Sequence, residues 1–113
     1  MWAARRFPET RAENIKIFDD YLTLCDKNNV RPIIFLPPVS IGYAKYFSKQ
    51  MIDELRYLVM TAINKHSEAI FFDGWNLLKH FSDEDFADVD HLNFQGATKF
   101  SAIFDSLIEE LEK

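Results

Sequence analysis

The sequence predicts an α/β fold in which helices alternate with two short apolar strands. The segments 32–36 and 69–73 are continuously apolar up to Asp73, a pattern typical of parallel strands that are covered on both faces. Apolar residues at helical spacing precede, separate and follow these two segments. The predicted order is therefore α-β-α-β-α, and it corresponds to part of a three-layer, doubly wound parallel sheet.

The first helix is predicted from about Arg11 to Lys27. Thr10 and Glu13 have the spacing of a capping box at its start, and Asn28–Asn29 interrupts the helical pattern at its end. The strand that follows ends at Pro37–Pro38, since proline cannot donate a hydrogen bond to a sheet. The apolar face of this helix consists of Ile15, Phe18, Leu22 and Cys25.

The second helix is predicted from about Ser48 to Lys65, after a loop over 39–47. Gly74 ends the second strand, a short helix is expected over 75–81, and an acidic loop over 82–92. Asn93 is a good N-cap for a last helix. The expected buried positions are Met51, Leu55, Leu58, Val59 and Ala62 in the second helix and Ala97, Phe100, Phe104, Leu107 and Leu111 in the last.

The composition limits the classes of protein to which the chain can belong. Its 113 residues are 48% hydrophobic, enough for a core, and the net charge of −5 argues against a nucleic-acid partner. Cys25 is the one cysteine and is expected to be buried. No apolar run approaches the roughly 18 residues of a membrane span, and the first residues do not resemble a signal peptide, so the chain itself is expected to be soluble.

Two strands are few for an independent α/β domain, and both would be sheet edges. We therefore expect residues 1–113 to be a single α/β domain or the C-terminal fragment of a larger one. Association of two copies through the strand edges is the alternative way to complete the sheet.

The candidate chemistry lies in the acidic loop, where Asp88 precedes His91 by three residues. A carboxylate at this spacing can fold back onto one nitrogen of the imidazole, which gives the base and the orienting group of a nucleophilic hydrolase site. Asp90 is expected to be solvated or to act as a cap, because neighbours on an extended loop point apart. The sequence predicts neither a cofactor nor a metal ion, since the acidic loop lacks the glycine and glutamate of a calcium loop, and His91 lacks a second zinc ligand at useful spacing.

The segment Asp88-x-x-His91-Leu-Asn-x-x-Gly-Ala resembles the last block of the SGNH (GDSL-type) esterases and acyltransferases. With the preceding Phe86 and the following Phe-Ser, it is especially similar to the DltD-like and alginate-acetylation-like branch, which modifies polymers at the cell surface. The strand with Pro37–Pro38 is similar to the strand before that block in DltD-like chains. The resemblance covers roughly residues 14–113.

The resemblance implies that His91 is a general base, that Asp88 orients it, and that the parent protein transfers an acyl group from an ester to water or to a polymer hydroxyl. It also suggests a cell-envelope parent, although the compartment is not predicted. A neutral imidazole near pH 7 suits the role, and the positive end of the last helix should disfavour the charged form. No membrane segment is expected in this chain.

The sequence departs from this family in lacking the serine block and the oxyanion-hole blocks. Ser40 is the best placed local serine, but it lacks the Gly-x-Ser-x-Gly elbow. We therefore expect the chain alone to be inactive. One alternative is a non-catalytic binding or assembly module that dimerises or pairs with another domain through its sheet edges. Another is a small enzyme that completes its site across a homodimer.

Two further histidines and a group of aromatic residues each allow two interpretations. His66 and His80 are expected to be solvated or to cap helix ends rather than to bind a ligand. The aromatic residues after the first strand either line a substrate groove or only cover the sheet; they are Tyr43, Tyr46 and Phe47.

Overall fold

A computed structural model describes residues 8–66 and 68–113, and the elements follow the predicted order. The α-helices are α1 (Pro8–Lys27), α2 (Ile41–Ala44), α3 (Lys49–Ile63) and α4 (Phe94–Leu111). The strands are β1 (Ile33–Leu36) and β2 (Ile70–Asp73), and two 3₁₀ helices span Gly74–His80 and Asp83–Asp85. The two strands pair in a parallel sheet, so the mixed α/β character of the chain is confirmed.

The chain forms two compact units, each built from separate stretches of sequence. The first unit contains residues 8–34, 49–66 and 68–72 of the described chain, and the second contains residues 35–48 and 73–113. Both strands pass from the first unit into the second. The expectation of one α/β domain, or of a fragment of a larger one, stays a prediction.

The core of the first unit lies between the C-terminal halves of α1 and α3. Leu22, Ala62 and Ile63 are buried there, and partly buried side chains pack against them: Phe18, Ile34, Val59, Ala69 and Phe71. Ile15 and Leu55 were expected in this core but are 41% and 40% exposed. Both lie in the N-terminal halves of their helices, where an ion pair between Arg11 and Glu54 joins α1 to α3 instead.

The end of α1 is set by Asn29, which adopts a left-handed conformation with φ of 57°. The Val30 amide donates to the Cys25 carbonyl at 2.9 Å, and the Asn29 amide donates to the Asp26 carbonyl at 3.3 Å. These two bonds form a Schellman motif, in which asparagine is one of the few residues that tolerate the left-handed position. The predicted break at Asn28–Asn29 is confirmed, and Cys25 is buried as expected.

The second unit is organised around α4, whose aromatic face packs on the end of β1. The ring of Phe35 lies 5.8 Å from that of Phe100 and 5.7 Å from that of Phe104. The predicted face of α4 is partly buried at Phe100, Phe104, Leu107 and Leu111. Ala97 shares this face by its position in the helix but is exposed.

The segment predicted as a loop over 39–47 contains the single helical turn α2. Ser40 caps this turn, since its side-chain oxygen accepts a hydrogen bond from the Tyr43 amide at 3.2 Å. The short helix expected over 75–81 is a 3₁₀ helix that begins at Gly74. A Cβ atom at Gly74 would clash with the Leu36 carbonyl oxygen, which explains glycine at this junction.

Within the described residues the sheet has two strands, so each strand has one strand neighbour there. No residue of either strand is fully buried, and Phe35 is 47% exposed. The strands are therefore less covered than their continuous apolar sequence suggested. None of the described helices has both the length and the apolar character needed to cross a membrane.

Candidate functional site

The acidic loop of the second unit is closed at its base by backbone hydrogen bonds. Phe86 and Leu92 form an isolated antiparallel bridge, and the Ala87 amide donates to the His91 carbonyl at 2.8 Å. One step further down, the Asn93 amide donates to the Asp85 carbonyl at 2.9 Å. Residues 87–91 therefore form a tight loop whose two sides are held together directly below Asp88 and His91.

Asn93 joins this loop to α4 as predicted. Its side-chain oxygen accepts a hydrogen bond from the Gly96 amide at 2.9 Å, which satisfies a free donor in the first helical turn. Its side-chain nitrogen donates to the Glu84 carbonyl at 2.7 Å. One side chain thus fixes the start of α4 to the acidic loop, and the resulting turn places His91 two residues before the helix cap.

The structure brings Asp88 and His91 together. The Nδ1 atom of His91 lies 2.8 Å from one carboxylate oxygen of Asp88 and 3.1 Å from the other. Asp88 is itself oriented by the Asp90 amide, which donates to it at 3.1 Å. Since a carboxylate can only accept, this contact assigns the proton to Nδ1.

Asp90 lies closer to His91 than the sequence indicated. Its carboxylate oxygen is 3.0 Å from Nδ1, so two carboxylates face the same ring nitrogen. The expectation that Asp90 and His91 point apart was wrong, because residues 87–91 bend into a tight loop instead of running as an extended chain.

The carboxylates determine the direction in which His91 titrates. The hydrogen bond to Asp88, followed by the charges of Asp88 and Asp90, raises the pKa of His91 above its ordinary value. In return, the hydrogen bond from His91 lowers the pKa of Asp88. The positive end of α4 was expected to disfavour the charged imidazole, but the two nearer negative charges reverse that effect. Because the side chain of His91 is 72% exposed, water screens these interactions.

The second ring nitrogen of His91 is available for proton transfer. Within residues 8–66 and 68–113, hydrogen-bond contacts to His91 are made at Nδ1, and none is made at Nε2. An imidazole whose Nδ1 is held by a carboxylate and whose Nε2 faces solvent has the arrangement of a general base with its orienting group.

Ser40 does not have the environment of a nucleophile. Its side chain is buried and caps α2, and its amide donates to the Val89 carbonyl at 3.0 Å. This backbone contact brings the start of α2 beside the acidic loop, but the hydroxyl is used within its own turn. No hydrogen bond between a serine and the His91 ring is found in the described part of the second unit.

A shallow groove of about 470 Å³ in the second unit is lined in part by Asp88. Tyr43 and Tyr46 lie on its wall, as one reading of the sequence anticipated, whereas Phe47 packs against Tyr43 and Trp75. The remaining lining residues are Ser40, Gly42, Asp83, Phe86, Asp88 and Val89. The groove thus places apolar and aromatic surface directly beside the orienting carboxylate.

Asp88, Asp90 and His91 present ligand atoms within 4.8 Å of one another, a separation compatible with a metal ion. All three side chains are exposed, and their polar atoms already contact each other. This arrangement is common among surface acidic groups, and we assign no metal to it.

A second histidine, His66, was expected to be solvated or to cap a helix end, but it is buried in the first unit. Its Nε2 atom lies 3.0 Å from a carboxylate oxygen of Asp19, and its Nδ1 atom contacts a carboxylate oxygen of Asp26. Asp19 and Asp26 are two turns apart on α1 and therefore lie on one face, and this spacing was the available signal. His80 is exposed, as expected.

In comparisons with protein-family models, with curated proteins and with solved structures, nothing matches this chain.

Proposed function

We propose that this chain is the C-terminal segment of an SGNH-like esterase or O-acyltransferase, in which His91 is the general base and Asp88 orients it. The reaction is acyl transfer from an ester to water or to a polymer hydroxyl. The nucleophilic serine and the oxyanion hole come from sequence outside residues 1–113, and the segment alone is inactive. In the complete protein the two-stranded sheet becomes part of a three-layer, doubly wound sheet.

The observation that carries this proposal is the asymmetry of the His91 ring. Asp88 holds Nδ1 with both oxygens, at 2.8 Å and 3.1 Å, and thereby leaves Nε2 as the basic nitrogen. The exposed ring can receive a proton from a hydroxyl that approaches from solvent or from another segment. Once protonated, the imidazolium is stabilised by the carboxylates on its other side.

The groove beside Asp88 supports the same function. Tyr43, Tyr46 and Phe86 offer it an apolar wall, which suits the hydrocarbon part of an ester. An ester that binds in this groove lies beside Asp88, which is one of the lining residues. The openness of the groove fits a site that is completed by further chain.

The small size of the sheet supports the proposal that further strands are needed. A two-stranded sheet is marginal in water, and functional groups of parallel sheets gather at the carboxyl ends of the strands. An additional strand that joins this sheet in parallel would end beside the existing strand ends. A serine on the loop after such a strand is then on the same side of the sheet as the acidic loop.

The proposal is tested with a protein that begins upstream of Met1 and includes a strand–serine–helix segment. We expect it to hydrolyse p-nitrophenyl acetate and to be labelled on one serine by a fluorophosphonate. The His91→Ala variant should lose about 10²–10⁴-fold in turnover, the usual contribution of a general base. His80→Ala is the matched control, since it removes an exposed imidazole of the same unit and should leave turnover unchanged.

Equal turnover of the His91→Ala and parent proteins would remove His91 from the mechanism. Labelling of residues 1–113 alone by the fluorophosphonate would instead show that this segment holds its own nucleophile.

The two-stranded sheet also favours a second candidate, a non-catalytic module that dimerises through its sheet edges. Under this candidate the longer protein stays inactive towards esters, while light scattering gives the mass of a stable dimer. A monomeric mass at micromolar concentration would exclude it.

A further inference from the structure

We propose that Asp85, buried against Lys99 and Gln95, is a positioning residue that holds Asp88 and His91 in their hydrogen-bonded arrangement. This inference rests on the proposed function, because a positioning role has meaning only if the pair acts in chemistry. Asp85 touches neither member of the pair. Its effect is transmitted by the backbone of the acidic loop, which begins at Asp85 and returns to it at Asn93.

Asp85 is a fully buried carboxylate whose two oxygens are both satisfied. One oxygen accepts hydrogen bonds from the Lys99 ammonium and the Ser82 amide, each at 2.8 Å, and the other accepts from the Gln95 side chain at 2.9 Å. Since an ionised group is costly to bury, its charge must be met by close partners. These contacts hold the pKa of Asp85 down at about 2, so it stays charged at neutral pH.

Lys99 connects this carboxylate to a wider part of the unit. Its ammonium also donates to the His80 carbonyl at 3.0 Å and lies 5.4 Å from the centre of the Phe81 ring. Lys99 and Gln95 both project from the first turns of α4, so together they tie the start of the helix to the base of the acidic loop.

The backbone of Asp85 transmits this constraint to the pair. Its carbonyl accepts from the Asn93 amide at 2.9 Å, and the next rung of the loop joins Ala87 to His91 at 2.8 Å. Gly96 approaches the Asp85 carbonyl so closely that a Cβ atom there would clash with it. The peptide units on either side of Asp88 and His91 are thus fixed relative to a carboxylate that cannot move without losing its ion pair.

The test measures the titration of His91 by NMR in Lys99→Met, which removes the ammonium and keeps most of the side chain. We expect the pKa of His91 to fall toward its ordinary value of 6.5, because Asp88 is no longer held at Nδ1. Adding Asp88→Asn should then have little further effect. The direction of the pKa change separates a positioning effect from a simple charge effect. Loss of a positive charge without movement of the loop would raise the pKa of His91.

Three other variants make the result specific. Lys99→Arg keeps a charged donor and should retain the raised pKa, whereas Lys113→Met removes an exposed lysine that pairs with Glu110 and should change nothing. Gln95→Leu removes one hydrogen bond and leaves the ion pair, so it decides the question if Lys99→Met does not fold. The raised pKa of His66 reports on the first unit in every variant.

An unchanged or raised pKa of His91 in folded Lys99→Met, or in Gln95→Leu where that variant decides, overturns the positioning role and leaves Asp85 as a structural anchor only. This readout does not depend on turnover. Full activity of His91→Ala would contradict the proposed function, whereas an unchanged pKa of His91 in the folded variant would contradict the positioning role. The two failures are therefore distinguishable.

Discussion

His91 has two carboxylates against a single ring nitrogen, and this crowding makes them unequal. Asp88 approaches Nδ1 with both oxygens, whereas Asp90 presents one oxygen at 3.0 Å. The Asp90 amide also donates to Asp88, so Asp90 supports the pair through its backbone as well as through its charge. A substitution of the Asp90 side chain keeps that amide, which allows the two roles to be separated.

The first prediction compares Asp88→Asn with Asp90→Asn. Both should lower the pKa of His91, and Asp88→Asn should lower it more, because the Asp88 hydrogen bond is the largest cause of the upward shift. The measurement is an NMR titration of the His91 ring in the two variants and the unmodified chain. If Asp90→Asn lowers the pKa of His91 as much as Asp88→Asn does, or more, Asp88 is not the main orienting carboxylate.

At this scale the sequence predicted the contact between Asp88 and His91, since a spacing of three residues before a helix cap favours a fold-back. It did not predict the approach of Asp90, which depends on the bend of residues 87–91, nor the burial of His66. The contact between His66 and Asp26 joins residues 40 positions apart, and the shared face of Asp19 and Asp26 on α1 does not show which distant residue packs against it.

The candidate site depends on the first two turns of α4. Asn93 caps it, Gln95 and Lys99 hold the Asp85 carboxylate, and Gly96 lies against the Asp85 carbonyl. Glycine is otherwise unfavourable inside a helix, by about 1 kcal/mol relative to alanine. Its presence three residues after the cap is explained by close packing and not by helix formation.

The second prediction reverses the usual order of helix propensity at this position. Gly96→Ala should destabilise the chain by about 1–3 kcal/mol, because the new methyl group overlaps the Asp85 carbonyl and lies 2.9 Å from a methyl carbon of Leu92. Gly42→Ala is the matched control, since a Cβ at Gly42 in α2 meets nothing within 4 Å. Urea unfolding measures both, and a stabilised Gly96→Ala variant would contradict the close packing.

Most elements could be predicted because their boundaries are set by local chemistry. Asn29, Pro37–Pro38 and Asn93 end or begin elements for reasons that act over a few residues. The turn α2 was not predicted, because a single turn has too few residues to show a periodic pattern. Ile15, Leu55 and Ala97 lie on predicted helix faces but are exposed. Periodicity identifies a helix face, but it does not show how far along the helix a neighbouring element covers that face.

The whole molecule contains two histidines whose pKa values are raised by carboxylates, one in each unit. In the first unit, both nitrogens of the buried His66 face carboxylates, so the ring must be an imidazolium to donate to Asp19 and Asp26 together. Lys16 and Lys65 are the cations whose charges act on Asp19. This arrangement couples the stability of the first unit to pH.

The third prediction concerns that coupling. Since the folded pKa of His66 lies above its unfolded value of 6.5, its contribution is fully present below pH 6.5 and is lost as the pH rises through the folded pKa. Asp19 has the opposite sign, because its lowered pKa makes its contribution present above pH 3.8 and lost as the pH falls through the folded pKa. Stability of the first unit should therefore be greatest between these limits.

Urea unfolding from pH 5 to pH 9 measures the decline on the alkaline side. His66→Leu should flatten this decline, whereas His91→Ala should largely retain it, because His91 is exposed and its ion pair is screened. A decline that survives in His66→Leu but disappears in His91→Ala would contradict this prediction, because it would show that the pH dependence arises in the second unit.

The α/β class of the molecule followed from the order of its elements, but the division into two units did not. That division depends on which residues contact each other across long separations, as Phe35 does with Phe100 and Phe104. The order of helices and strands does not predict which distant residues make such contacts. Two strands do not decide the three-layer, doubly wound arrangement, which stays a prediction.

The buried Cys25 supplies a native reporter of transient opening. The chain has one thiol, and it lies on α1 with 6% of its surface accessible. A reagent such as Ellman's disulfide can react with it only when this helix separates from its neighbours, so the slow colour reaction counts excursions of the first unit from its closed state. Divided at each pH by the rate for the urea-unfolded chain, which corrects for the thiolate fraction, the rate of this reaction would register loosening of α1 without any introduced label.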